Sequence, residues 1–85
     1  MLKVEWTEKA IETVGKLDRP ITRRILKKVT WFAKNFEIIT PEPLSGGFKG
    51  MFKLRIGDWR VVYQVEGETA IIYFVGHRRE IYDSK

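Results

Sequence analysis

Residues 2–6, Leu-Lys-Val-Glu-Trp, alternate apolar and polar side chains with a period of two, which puts Leu2, Val4 and Trp6 on one face of a first strand. The period changes at Thr7, a good helix N-cap, after which Ala10, Ile11, Val14 and Leu17 recur at helical spacing and predict a short helix over residues 8–16. Asp18-Arg19-Pro20 interrupts that helix and starts another. Asp18 stands at the capping position and Pro20 in the first turn, where a missing N–H costs nothing. The second helix is predicted over residues 20–36, with Ile21, Ile25, Val29, Phe32 and Phe36 as its buried stripe, flanked by Leu26 and Ala33.

Periodicity stops between Glu37 and Gly50, where two prolines and three glycines predict a surface loop. Three strand-like runs follow at residues 51–56, 59–65 and 69–75, separated by Gly57-Asp58 and Glu66-Gly67-Glu68, both suited to tight hairpins. Phe52, Leu54 and Ile56 fall on one face of their strand, with Met51, Lys53 and Arg55 on the other. In the next strand Trp59, Val61, Tyr63 and Val65 suit the core, whereas Arg60, Val62 and Gln64 look outward. A meander needs a second layer, so the helical hairpin must cover one sheet face. The expected fold is α+β in the order βααβββ, a helical hairpin on a mainly antiparallel four-stranded sheet, with residues 1–85 as a single domain.

Composition narrows the chemistry. The chain has no cysteine and a single histidine, which argues against disulfides, thiol catalysis and a dedicated metal site, and no cofactor is implied. Apolar runs are too short for a membrane span and the opening residues do not read as a signal peptide, so a cytoplasmic location is expected. A net charge of +5 raises the prior for a polyanionic partner. Six cations and no acid lie between residues 19 and 34, namely Arg19, Arg23, Arg24, Lys27, Lys28 and Lys34, whereas a merely solvated helix face mixes signs. Such a face suits a phosphate-rich surface or an acidic protein.

The meander adds Lys49, Lys53, Arg55 and Arg60, and Gly76-His77-Arg78-Arg79-Glu80-Ile81-Tyr82 ends the last strand. Cross-strand neighbours on one face meet side by side, so Lys53 or Arg55 can converge with Arg60 and Arg78. The plainer alternative makes Arg60 a surface arginine bridging to Asp58 or Glu66. His77 has the side chain whose ordinary pKa suits neutral acid–base chemistry, although a surface or capping histidine is the commoner role. Tyr82 suits either a core cap or a stacking platform for an unpaired base.

Leu44-Ser45-Gly46, the run Met51-Phe52-Lys53-Leu54-Arg55-Ile56-Gly57-Asp58-Trp59-Arg60-Val61-Val62-Tyr63, and the segment from Gly76 to Tyr82 together resemble the RelE/ParE toxin superfamily. The resemblance covers the whole chain, including the opening strand, short helix and basic second helix, and implies a RelE-like, microbial-ribonuclease-like fold. RelE-like members are toxins of toxin–antitoxin modules that cut mRNA in the ribosomal A site; ParE-like members share the fold but poison DNA gyrase. The resemblance implies acid–base or charge-stabilising work for Lys53, phosphate binding for Arg60, leaving-group stabilisation for Arg78 and substrate stacking for Tyr82. Lys49, Arg55, His77 and Arg79 stand as further acid–base or RNA-binding candidates, and Arg23, Arg24, Lys27 and Lys28 as contacts to ribosomal RNA.

Some family members carry a second strand lysine where this chain has Met51, which leaves the general base open between Lys53, Lys49 and His77. Lys53 needs cationic neighbours and partial burial to act as a base near neutrality. The expected partners are the ribosome, mRNA and a cognate antitoxin whose amphipathic helix or strand covers the basic surface. The expected activity is metal-independent endoribonuclease cleavage, with gyrase inhibition and a degenerate RNA-binding domain as alternatives.

Overall fold

A computed structural model describes residues 1–44 and 49–81. Strand β1 (Lys3–Trp6) leads into helix α1 (Glu8–Gly15) and helix α2 (Arg19–Lys34), then a short 3-10 turn at Phe36–Ile38. Strands β2 (Glu42–Pro43), β3 (Phe52–Ile56), β4 (Trp59–Glu66) and β5 (Thr69–His77) complete the chain. The sheet has five strands in the order β1-β5-β4-β3-β2, with β1 parallel to β5 and every other pair antiparallel. The expected α+β sandwich is therefore present, with one strand more than the four predicted. The addition is β2, two residues inside the Pro-rich segment assigned to loop. Pro43 is tolerated there because β2 is an edge strand, whose outward side needs no donor.

Local chemistry accounts for the helix ends. The Thr7 hydroxyl accepts a hydrogen bond from the Ala10 N–H (3.2 Å) and donates to the Tyr73 carbonyl (3.3 Å), so one side chain caps α1 and fastens it to β5. Asp18 occupies the cap position of α2, but its side chain makes no capping bond; its carbonyl accepts from the Thr22 N–H instead. The apolar stripe of α2 buries Ile25, Val29 and Phe32 in one cluster with Ile56, Val61, Tyr63, Ile72 and Val75 of the sheet, and Ala33 is buried as well. Leu26, expected at the margin of that stripe, is exposed and borders a hollow shared with Trp6, Ile11 and Val14. Burial pushes the Tyr63 phenol up to about 12, so this side chain remains a neutral core residue.

Register decides the opposite face. Lys53 pairs with Val62 and Arg55 with Arg60, while Phe52, Leu54 and Ile56 pair with Tyr63, Val61 and Trp59 on the helix side. Between β4 and β5 the register slips, Val62 opposing Phe74 and Tyr63 opposing Ile72, which leaves Tyr73 as an extra bulged residue. The Tyr73 hydroxyl donates to Gln64 Oε1 (3.2 Å), and Tyr73 and Phe74 both border the helix-free face. No described helix is long and apolar enough to cross a membrane.

Candidate functional site

The helix-free sheet face gathers the cations that period-two alternation assigned to it. Lys53 and Arg60 are each only 7% exposed, unusual burial for either residue type, and Arg55 sits directly opposite Arg60. Arg60 Nη1 donates to the carbonyls of Gly57 and Trp59, both at 2.9 Å. These bonds stand where the plainer alternative put a surface bridge to Asp58 or Glu66, and they hold the arginine on the backbone of the β3–β4 hairpin. Arg78 meets the same hairpin from β5, its N–H donating to the Asp58 carbonyl (2.7 Å) and its Nε lying 3.7 Å from the Asp58 carboxylate. Arg60 and Arg78 thus flank one two-residue turn, with the Arg78 side chain exposed and the Arg60 side chain buried.

A carboxylate that pattern reading missed lies at the β2 edge of the cluster. Glu42 faces Lys53 in register, and its Oε2 is 3.6 Å from Lys53 Nζ. Both Glu42 oxygens are bridged by Arg55, through Nε at 3.0 Å and Nη2 at 2.6 Å, the fork geometry of a strong charge-assisted pair. Hydrogen bonding from Arg55 holds the Glu42 carboxyl below its ordinary value of 4.5, opposed in part by burial and helped by the nearby charges of Arg55 and Lys53. The sequence signal was slight, because Glu42 is enclosed by Pro41 and Pro43, which read as loop.

Beside the cations the same face forms an apolar hollow of about 310 Å3, bordered by Leu44, Met51, Val62, Phe74 and Ile81 among others. Gly76, the register partner of Arg60, lies under its rim. A Cβ there would stand 2.9 Å from the Phe74 ring and 3.2 Å from the Glu80 carboxylate, so glycine is what permits both to close over the strand.

The remaining candidates separate. His77 pairs with Trp59 and lies on the helix side of the sheet, its ring edge-on to that of Trp59 at 5.4 Å. Its Nδ1 accepts from the Arg79 N–H (3.2 Å), and its own N–H donates to Glu80 Oε1 (2.8 Å), so it organises the end of β5 from the face opposite Lys53. Lys49 is exposed in the turn ahead of β3, and Arg79 is exposed beyond β5. Tyr82 and the Ser45-Gly46 part of the quoted motif lie outside the described residues. On α2, Arg23, Arg24 and Lys27 are exposed, and Lys28 holds its ammonium 4.2 Å above the Trp31 ring. Arg24 also packs onto the β3–β4 hairpin, since a Cβ at Gly57 would fall 2.6 Å from its Nη2.

Residues 4–82, nearly the whole chain, match the family described as the ParE toxin of type II toxin–antitoxin system, parDE. The chain belongs to the RelE/ParE superfamily of type II toxins. Its fold is shared with the Mycobacterium tuberculosis RelBE2 toxin–antitoxin complex, at 24% identity and a TM-score of 0.79 over 91% of this chain and 98% of that one. The isolated Escherichia coli RelE toxin superposes with a TM-score of 0.73 at 20% identity, covering 91% of this chain and 84% of that one. The chromosomal ParDE system of Pseudomonas aeruginosa gives 0.72 at 16% identity, covering 91% and 96%. No curated protein sequence matches the chain. The toxin fold is thus common to RelE and ParE relatives alike.

Proposed function

We propose that this toxin is a ribosome-dependent endoribonuclease that cleaves mRNA in the ribosomal A site, and that its action is restrained by a cognate antitoxin covering the cationic face. The observation that carries this reading is the burial of Lys53 and Arg60 beside Arg55 on the open sheet face. Cations fixed in place by the fold and partly removed from water stabilise developing anionic charge without reorganising at the moment of reaction.

In the proposed reaction the 2′-hydroxyl attacks the adjacent phosphorus. A 2′-O–P bond forms, the P–O5′ bond breaks, and the products are a 2′,3′-cyclic phosphate and a 5′-hydroxyl. The pentavalent intermediate carries more negative charge than the substrate, so Arg60 and Lys53 lower its energy more than that of the ground state. Glu42 accepts the 2′-hydroxyl proton. It is a weak base while Arg55 bridges it, but a phosphate that draws Arg55 away removes the largest cause of its lowered pKa and restores its basicity on substrate arrival. Arg78, exposed at the same hairpin, stabilises the departing O5′ while it takes a proton from solvent water, Glu42 returns its proton to solvent afterwards, and Tyr82 stacks on the substrate base.

Gyrase inhibition is the second reading. It is favoured by the match to the ParE family and by His77 lying on the opposite sheet face from Lys53. Primer extension on mRNA from a translation reaction containing purified toxin separates the two. The nuclease reading expects cuts in ribosome-bound message that disappear with Arg60→Ala/Arg78→Ala. Intact message together with inhibited supercoiling by gyrase overturns it.

A further inference from the structure

Helix α2 presents a second feature that phosphate contacts leave unexplained. Trp31 is 44% exposed near the C-terminal end of the cationic helix, with Lys27 and Lys28 four and three residues before it and Lys34 three after. The Lys28 ammonium rests 4.2 Å above the ring centroid, a cation–π contact that places positive charge over one face of the half-exposed ring, so a base stacks on the other face or takes the place of the ammonium. Trp31 also borders a groove of about 290 Å3 that passes Lys28, Pro41, Glu42 and Lys53 and reaches Arg55. The groove therefore joins the α2 face to the cluster on β3.

From this arrangement we infer that Trp31 is a stacking platform for an unpaired nucleobase, with the flanking phosphates held by Lys27, Lys28 and Arg55. The occupant is single-stranded nucleic acid, because the surroundings combine the two elements such strands require, a π-face and a track of positive charge. Duplex RNA offers phosphates but no free base face and has no use for the exposed ring. An acidic protein would also answer the charge, but it does not call for an aromatic surface lined by cations on both sides along the helix. The inference deepens the nuclease reading by adding a base subsite on α2, joined by the groove to Arg55, and it rests on that reading only in taking RNA as the natural strand.

The test is fluorescence anisotropy with a labelled 2′-O-methyl oligouridine, which lacks the attacking hydroxyl and so reports binding whether or not the toxin cleaves RNA. A sugar-phosphate strand of equal length without bases is the comparison probe. Trp31→Ala is expected to weaken binding of the base-bearing strand by roughly 5- to 150-fold. It should leave the base-free strand and the salt dependence unchanged, because no phosphate contact is lost. Trp31→Phe, which keeps a π-face, should recover most of the affinity. Circular dichroism checks the fold, which a half-exposed side chain should not decide. Equal affinity of wild type and Trp31→Ala for the oligouridine overturns the inference and leaves Trp31 to a protein contact. An equal loss on both strands also overturns it, assigning Trp31 to the placement of Lys28.

Discussion

Replacing Arg60 by alanine removes both a buried structural clasp and the proposed phosphate contact, and the two losses differ in size and assay. Nη1 donates two hydrogen bonds of 2.9 Å to the hairpin carbonyls of Gly57 and Trp59. Hydrogen bonds from a charged group contribute about 1.5–3 kcal/mol each, so the pair represents about 3–6 kcal/mol. Deleting the guanidinium also relieves its desolvation cost, which brings the expected loss to about 2–4 kcal/mol. A chain of this length is stable by about 4–13 kcal/mol at roughly 0.05–0.15 kcal/mol per residue. The variant should therefore stay folded at room temperature over most of that range, with a clearly lowered urea midpoint by circular dichroism. Cleavage, measured where the variant is folded, should fall by about 100- to 1000-fold, the usual effect of removing one transition-state donor. Arg60→Lys should recover much of the stability, since an ammonium can reach the same carbonyls, but less of the rate, because the planar fork is lost. If cleavage falls only in proportion to the folded fraction, Arg60 is structural and the catalytic assignment fails. An unchanged urea midpoint refutes the hydrogen-bond argument itself.

Two further predictions follow from the same regions. Gly57 and Gly67 have φ of 59° and 60°, and the Arg24 Nη2 that a Cβ at Gly57 would meet at 2.6 Å is the far end of an exposed side chain that can swing aside, so Gly57→Ala and Gly67→Ala should each cost roughly 1–2 kcal/mol of left-handed strain, and a clearly larger loss at Gly57 in urea titrations would contradict this. The Glu42 carboxyl is lowered by Arg55, so its pairing stabilises the native state above about pH 4.5 and is lost as pH falls through the lower folded value. Both side chains are substantially exposed, so the Tm difference between wild type and Glu42→Gln should reflect about 1 kcal/mol or less near neutrality and vanish in acid; a difference constant with pH would contradict this.

Alternation and helical spacing by themselves determined the first strand, the two helices and the three strands of the meander, and which of their side chains share a face. Lys53 and Arg55 are two residues apart in a strand, and the two-residue Gly57-Asp58 turn sets the register that puts Arg60 opposite Arg55; both are local constraints, written in consecutive residues. The capping role of Thr7 was legible for the same reason, whereas Asp18 has the right residue type in the right place and makes no side-chain cap, because a cap depends on a rotamer as well as a position.

What tertiary structure alone decided is the company those residues keep. Glu42 reaches Lys53 and Arg55 only because an edge strand too short to show a period closes beside β3. The bulge at Tyr73 shifts which β5 side chains border the open face, and a single extra residue leaves no periodic trace of where the partner strand slips. His77 is consigned to the helix side by its pairing with Trp59, and Trp31 is joined to the β3 cluster by a groove whose walls come from separate segments. Periodicity reports the direction of a side chain from its own backbone; distance between segments is set by packing and pairing, and the chemistry of this site depends on those distances.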